Sequence, residues 1–176
     1  MGHDQTTDVD ALLSLDEPAL ERQCRLEPFK SGGPGGQKRN KTTSAVRLIH
    51  LPTGISAHSA DFREQSVNRR RALHRLRFKL AAELRTPVDP RGYDPPAWLR
   101  TLRQEGKLTT NPKNPDFARL AAHVLDVLEA ADARLAPAAA LLGVPTSNLM
   151  HVLEAEPTIQ AAAQRIRKKH GVAWQR

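Results

Sequence analysis

Four glycines and one proline occupy the five consecutive positions Gly32 to Gly36. Such a run cannot be the interior of a helix or a strand. Glycine loses more backbone entropy on ordering than any other residue, and Pro34 fixes its own φ while steering Gly33 out of the helical region. The result is a loop with one stiffened point, closed by Gln37 and followed at once by Lys38, Arg39 and Lys41. The run contains no carboxylate, cysteine or histidine, so it supplies neither a general base nor metal ligands. It offers backbone N–H groups, one uncharged amide and flanking cations, which are donors suited to a bulky anion. A Walker-type phosphate loop needs Gly-Lys-[Ser/Thr], and here that slot reads Gly36-Gln37-Lys38, which argues against nucleotide binding. A glycine-rich hairpin tip with solvated lysines is the plain alternative.

The charge is distributed unevenly. The 176-residue chain carries a net charge of +8. Residues Met1 to Pro28 hold two basic and seven acidic side chains, whereas Phe29 to Thr86 hold thirteen basic and three acidic. Asp116 to Pro157 is net acidic, and Thr158 to Arg176 carries five basic residues and no acid. Positive charge concentrated on the glycine-loop region and the last residues is the footprint of a surface that meets a polyanion. Aromatic residues make up only 4%, so the expected mode is backbone and shape recognition of structured RNA, not a base-stacking platform. No stretch reaches the length of a membrane-spanning helix, and the acidic start does not resemble a signal or transit peptide. Cys24 is the single cysteine, which excludes an internal disulfide and fits a reducing, cytoplasmic setting. The histidines lack metal-ligand spacing, and His50 and His58 read as ordinary side chains on two strands of a hairpin. No metal or cofactor is expected, nor any membrane contact.

Local patterning gives the expected elements. Residues 1–15 read as an unstructured N-terminus. Ser14-Leu15-Asp16-Glu17-Pro18 has the marks of a helix start, with acids in the first turn and proline near the first helical position, and the helix runs to about Gln23. Strands are expected over Cys24–Lys30, Ser44–His50 and Ile55–Ser59, with Leu51-Pro52-Thr53-Gly54 as a tight turn between the last two. Along the middle strand Val46, Leu48 and His50 share one face. Asp61 and Glu64 form a capping-box pattern ahead of a long helix reaching Arg85. There Leu73, Leu76, Leu80 and Leu84 make one apolar stripe, and Arg69, Arg70, Arg71, Arg75, Arg77 and Lys79 take other faces. Few acids are placed to pair them, so Arg69, Arg70, Arg71 and Arg75 are candidate RNA contacts. Residues 87–115 hold six of the thirteen prolines and read as a linker with a short helix from Ala97 to Glu105. From residue 116 to 176 the pattern is a helical bundle. Its Pro137–Leu149 stretch, with a second helix running to about Ala155, resembles a helix-turn-helix, with Asn148 and His151 but no Arg or Lys on that second helix. Arg165, Arg167, Lys168 and Lys169 form a basic end.

Gly35-Gly36-Gln37 followed by Asn40-Lys41-Thr42 resembles the Gly-Gly-Gln signature of class I peptide chain release factors and their codon-independent relatives in ribosome rescue. The resemblance continues through Ser44-Ala45-Val46-Arg47-Leu48, Leu51-Pro52-Thr53-Gly54-Ile55 and Gln65-Ser66-Val67-Asn68-Arg69, covering about Cys24 to Arg85. It implies an α+β chain, in which a small Gly-Gly-Gln domain over residues 16–86 has a short mixed β-sheet packed on a long basic helix. The linker and the helix-turn-helix-like bundle follow. It implies hydrolysis of the peptidyl-tRNA ester in the ribosomal peptidyl transferase centre, with Gly35, Gly36 and Gln37 as the catalytic set. Lys38, Arg39, Asn40 and Lys41 become RNA-binding candidates. The implied partners are the ribosome, through large-subunit rRNA, and peptidyl-tRNA, with a glutamine methyltransferase that modifies Gln37. A monomer is expected.

Two departures from the family pattern bear on function. The chain leaves no room for a separate codon-reading domain, so it is not expected to read a codon. Lys38-Arg39 also stands where His-Val or a similar pair is common, adding charge beside the glutamine. The competing readings are a non-hydrolytic ribosome- or rRNA-binding factor, against which the intact Gly35-Gly36-Gln37 weighs, and a DNA-binding regulator acting through the helix-turn-helix.

Overall fold

The computed structural model describes residues 8–29 and 44–173. The chain divides into two compact units, Met1–Leu80 and Ala81–Arg176.

In the first unit, two short helices precede the sheet. Helix α1 (Val9–Leu13) is capped by the Asp8 carboxylate, which accepts from the Ala11 N–H, and α2 (Glu17–Arg22) is capped in the same way by Asp16. Residues 9–13 are therefore helical where the sequence suggested an unstructured start. Val9, Leu12, Leu13 and Leu20 are buried, and that burial outweighs the weak local signal of two single-turn helices. Ser14 closes α1 and does not open α2.

Strands β1 (Cys24–Phe29), β2 (Ala45–His50) and β3 (Ser56–Ser59) form one sheet in the order β1-β2-β3. The expected mixed sheet is in fact antiparallel throughout, because each strand pairs with its sequence neighbour as a hairpin. On β2, Val46, Leu48 and His50 all point inward and are fully buried. His50 is tolerated there because both ring nitrogens are bonded: Nδ1 to Thr53 Oγ1 at 2.8 Å and Nε2 to Gln23 Oε1 at 3.0 Å. The turn back to β3 is closed by the Gly54 N–H donating to the His50 carbonyl at 2.8 Å, with Gly54 at φ +71°.

Helix α3 (Gln65–Glu83) begins later than its capping-box pattern suggested. Asp61 lies four residues ahead of it, and its carboxylate pairs with Arg75 at 2.7 Å. The inward face carries Ala72, Leu73, Leu76 and Leu80, all buried, whereas Leu84, the fourth leucine of the expected stripe, lies past the end of the helix and is only half-buried.

The second unit is built around α5 (Phe117–Ala130), where ten of fourteen residues are buried. A helix apolar on most sides must be surrounded, and α5 packs against α6 (Leu135–Leu142), α7 (Thr146–Glu154) and α8 (Pro157–Lys169). The turn between α6 and α7 places Gly143 at φ +65°, with the Val144 N–H returning to the Ala139 carbonyl at 3.0 Å. Residues 87–115 contain α4 (Ala97–Leu102) and a ribbon of β4 (Arg103–Gln104) and β5 (Lys107–Leu108). The ribbon turns through Glu105 at φ +50° and Gly106 at φ +72°, the two positive-φ positions of a tight hairpin.

This segment is docked within the second unit. The Asn148 side chain accepts from the Leu108 N–H at 2.8 Å and donates to its carbonyl at 3.0 Å. Tyr93 Oη bonds His123 Nε2 at 2.8 Å, and the Arg119 guanidinium lies 4.1 Å from the centre of the Trp98 ring. Arg85 and Asp126 form a mostly buried ion pair at 2.9 Å. Burial pushes the Asp126 carboxyl up to about 7 against the opposing pull of the guanidinium.

Burial holds the His50 imidazole below its ordinary 6.5. Between its folded and unfolded pKa values the unfolded chain binds more protons, so the stability that neutral His50 confers is complete above about 6.5 and is lost as pH falls. Hydrogen exchange at the β2 amides, corrected for intrinsic rates, is therefore predicted to lose protection from pH 7 to pH 5. His50→Gln should flatten that dependence.

Candidate functional site

The candidate catalytic residues Gly35, Gly36 and Gln37, and the RNA-binding candidates Lys38, Arg39, Asn40 and Lys41, lie outside the described residues. The structure describes what stands on either side of them. Phe29, the last residue of β1, pairs with Ala45, the first of β2, so residues 30–43 begin and end at the same end of the sheet. Phe29 is braced there by His58 across the sheet, edge to face with ring centres 5.9 Å apart. The Arg47 guanidinium sits 5.6 Å from the Phe29 ring centre.

The return side is held by Asn68, which is fully buried one turn into α3. Its Nδ2 donates to the carbonyls of Ser44 at 2.9 Å and Phe62 at 2.8 Å. Its Oδ1 accepts from Ser59 Oγ at 3.0 Å and from the Phe62 N–H at 3.0 Å. All four hydrogen-bonding positions of the amide are thus used. One side chain joins α3, the end of β3, the chain leading into α3 and the residue that follows 30–43.

The α3 cations separate into two groups. Arg69 pairs with Glu21 on α2 through its Nε. Arg75 donates to the His58 carbonyl at 2.9 Å as well as pairing with Asp61. Arg77 reaches the Leu13 carbonyl at 3.2 Å and Lys79 the Ser56 carbonyl at 2.9 Å. These four lace the helix to the rest of its unit. The partly exposed ion pairs add less than about 1 kcal/mol each, but they use positive charge internally. Arg69 and Arg75, expected as RNA contacts, are thus engaged by acids that the sequence reading did not connect to them. Arg70 and Arg71 are exposed and make no side-chain hydrogen bond or ion pair among the described residues.

The basic C-terminal end is also reduced. Arg167 is buried and donates to the Ala133 carbonyl at 3.3 Å, and Lys169 pairs with Glu129 at 2.7 Å. In the helix-turn-helix-like α6–α7 pair, Asn148 is consumed by its clamp on Leu108, which takes it out of any base-reading role. Cys24 donates to the Leu20 carbonyl at 3.3 Å, and burial, with the nearby Glu21 charge, pushes its thiol up to about 11, away from nucleophilic use. Among the described residues no group of three or more His, Cys, Asp and Glu side chains is arranged to hold a metal ion. No described helix is long and apolar enough to cross a membrane.

A small antiparallel sheet laced to a basic helix, with a glycine-rich segment at one sheet end, defines an α+β module with a cationic outer face. Residues 18–91 match the family model of the RF-1 domain. Peptide chain release factor 1 of Symbiobacterium thermophilum is 43% identical over 82 residues, 45% of this chain and 23% of that protein. The corresponding factor of Thermoanaerobacter pseudethanolicus is 44% identical over 81 residues, 44% of this chain and 23% of that protein. That of Dictyoglomus thermophilum is 42% identical over 81 residues, 44% of this chain and 22% of that protein. Over its RF-1 segment the chain is similar to class I release factors, and it spans less than a quarter of the length of these curated relatives.

Sequence reasoning quoted Asn68 within the resemblance but gave it no role. It left Glu21 and Phe62 out of the site and placed Asp61 there only as a helix cap. Asn68→Ala takes a partner from four polar groups, of which Ser59 Oγ keeps Asp61 Oδ2 at 3.3 Å, and is predicted to lower stability by roughly 2–4 kcal/mol. Chemical denaturation followed by a probe in the first unit measures this, with Arg70→Ala as the neutral control.

Proposed function

We propose that this chain hydrolyses the peptidyl-tRNA ester in the ribosomal peptidyl transferase centre without reading a codon, and so releases peptides from stalled ribosomes. The observation that carries this reading is the RF-1 match over residues 18–91, with Gly35-Gly36-Gln37 intact between two strands that pair with each other. The helical second unit, most of it beyond the matched residues, supports a role other than codon reading.

In this reading the Gln37 backbone N–H donates to the negative charge that develops as water attacks the ester carbonyl. A preorganised donor of this kind is worth about 10²–10³ in rate. The Gln37 side chain positions the water and excludes larger nucleophiles. Gly35 and Gly36 keep the approach free of a Cβ, and Pro34 limits the freedom lost on ordering. Lys38, Arg39, Asn40 and Lys41 contact RNA beside the loop. The acid–base groups belong to ribosomal RNA and the tRNA, consistent with a run that carries none. N-methylation of Gln37 by a glutamine methyltransferase, a monomeric state and a cytoplasmic location complete the proposal. Arg70 and Arg71, exposed and unpaired among the described residues, are the α3 cations assigned to phosphate contacts.

The test is release of labelled peptide from ribosomes stalled without a stop codon. Wild type is expected to release it. Gly36→Ala should abolish release with ribosome binding intact, and Gln37→Ala should separate the side-chain contribution from the backbone one. Binding without release by any version contradicts the hydrolase. The Arg70→Gln/Arg71→Gln double variant should lower the slope of log affinity against log salt by about 1.5, in keeping with two lost phosphate contacts. An unchanged slope removes them from the interface.

A further inference from the structure

We propose that Phe62 stacks on an unpaired RNA base beside the candidate catalytic loop; this rests on the reading that this face of the first unit meets RNA. Phe62 is, with Leu51, one of two large apolar side chains that stand out as exposed among the described residues, with 46% of its surface accessible. A single exposed apolar side chain is ordinary in itself. Here the backbone is held on both sides, because Asn68 accepts from the Phe62 N–H and donates to the Phe62 carbonyl. A fully buried amide therefore fixes the ring's point of attachment. Its only rotatable freedom is two side-chain angles, so little entropy is lost when the ring engages a flat partner.

The same Asn68 amide nitrogen also holds the Ser44 carbonyl, the first described group after residues 30–43. The attachment of Phe62 and the exit of the loop are thus two ligands of one NH₂ group. Phe62 is fixed beside Ser44, where the chain returns from residues 30–43.

The free charge near Phe62 in the chain is net positive and favours an anionic occupant. Arg63 follows Phe62 directly and is exposed, and Arg70 and Arg71 are exposed on the α3 stretch that follows Asn68. Of the two exposed acids that flank Phe62 and Arg63, Asp61 is paired with Arg75, and Glu64 sets one negative charge against the three arginines, Arg63, Arg70 and Arg71. None of these three arginines has an acidic partner among the described residues. An apolar protein partner would leave these cations unpaired. A single nucleic-acid strand suits both features, because its phosphates meet the arginines while the face of a base covers the ring. The low aromatic content argues against a platform of several rings, and one fixed ring among cations does not need such a platform.

The test uses the full chain and a single-stranded 12-nucleotide RNA containing one 2-aminopurine, with a blunt hairpin duplex of matching sequence as the comparison. Phe62→Ala is expected to weaken single-strand binding about tenfold, near the lower end for one stacked base, and to leave duplex binding unchanged. Phe62→Trp should restore the affinity and quench the 2-aminopurine. Equal loss on both RNAs, or no loss on either, overturns the proposal. So does weaker ribosome binding with single-strand binding unchanged, which points to a protein contact. These readouts do not depend on peptide release, so a failed hydrolase reading and a failed stacking proposal give different results.

Discussion

The first unit depends on one side chain with four hydrogen bonds. The Asn68 amide is buried, so each of its groups needs a partner, and its four bonds serve three structural tasks. Ser59 fixes the end of β3, both Phe62 bonds fix the approach to α3, and Ser44 fixes where β2 begins. Aliphatic packing along Leu73, Leu76 and Leu80 supplies the non-directional burial that holds the helix in place. It cannot by itself set where residues 30–43 are anchored. A directional contact can, and that makes a small module with a modest core able to present a loop at a defined point.

The second unit uses the same device. Asn148 bonds both backbone groups of Leu108 and so ties the β4–β5 ribbon to α7. In both units a buried asparagine joins a helix to an irregular segment whose own hydrogen bonds are few. The difference lies in the consequence. Asn68 holds the backbone of Phe62, whose ring is exposed, to the same amide as Ser44. Asn148 instead withdraws from the surface a residue that the helix-turn-helix pattern offered for base reading.

Much of the fold was legible in the sequence because it follows local period and punctuation. The hairpin Ala45–Ser59 shows in its alternation and its Pro52-Thr53-Gly54 turn, and α3 shows in its leucine spacing. The cluster Gly32–Gly36 marked the candidate site. What was not legible depends on long-range pairing. Glu21 meets Arg69 across 48 residues, and nothing near either residue signals it. Asp61 matched a capping pattern but was drawn to Arg75, fourteen residues on. Residues 9–13 were too short for a periodic signal and are helical through burial. The Glu105-Gly106 turn was readable in principle, but the surrounding prolines suggested a linker. Consequently the arginine run was recognised as cationic, while the division between lacing and free arginines required the structure.

The central claim is that the loop carried by this module cleaves peptidyl-tRNA whatever codon is present. The most direct measurement is the single-turnover rate of labelled-peptide release by the full chain at saturating concentration. The ribosome complexes should be identical except that the truncated message ends after the last decoded codon, after one further sense codon, or after a stop codon. The account predicts release in all three, with no requirement for the stop codon. Release confined to the stop-codon complex would contradict it and would mean that this chain, or something acting with it, reads the message.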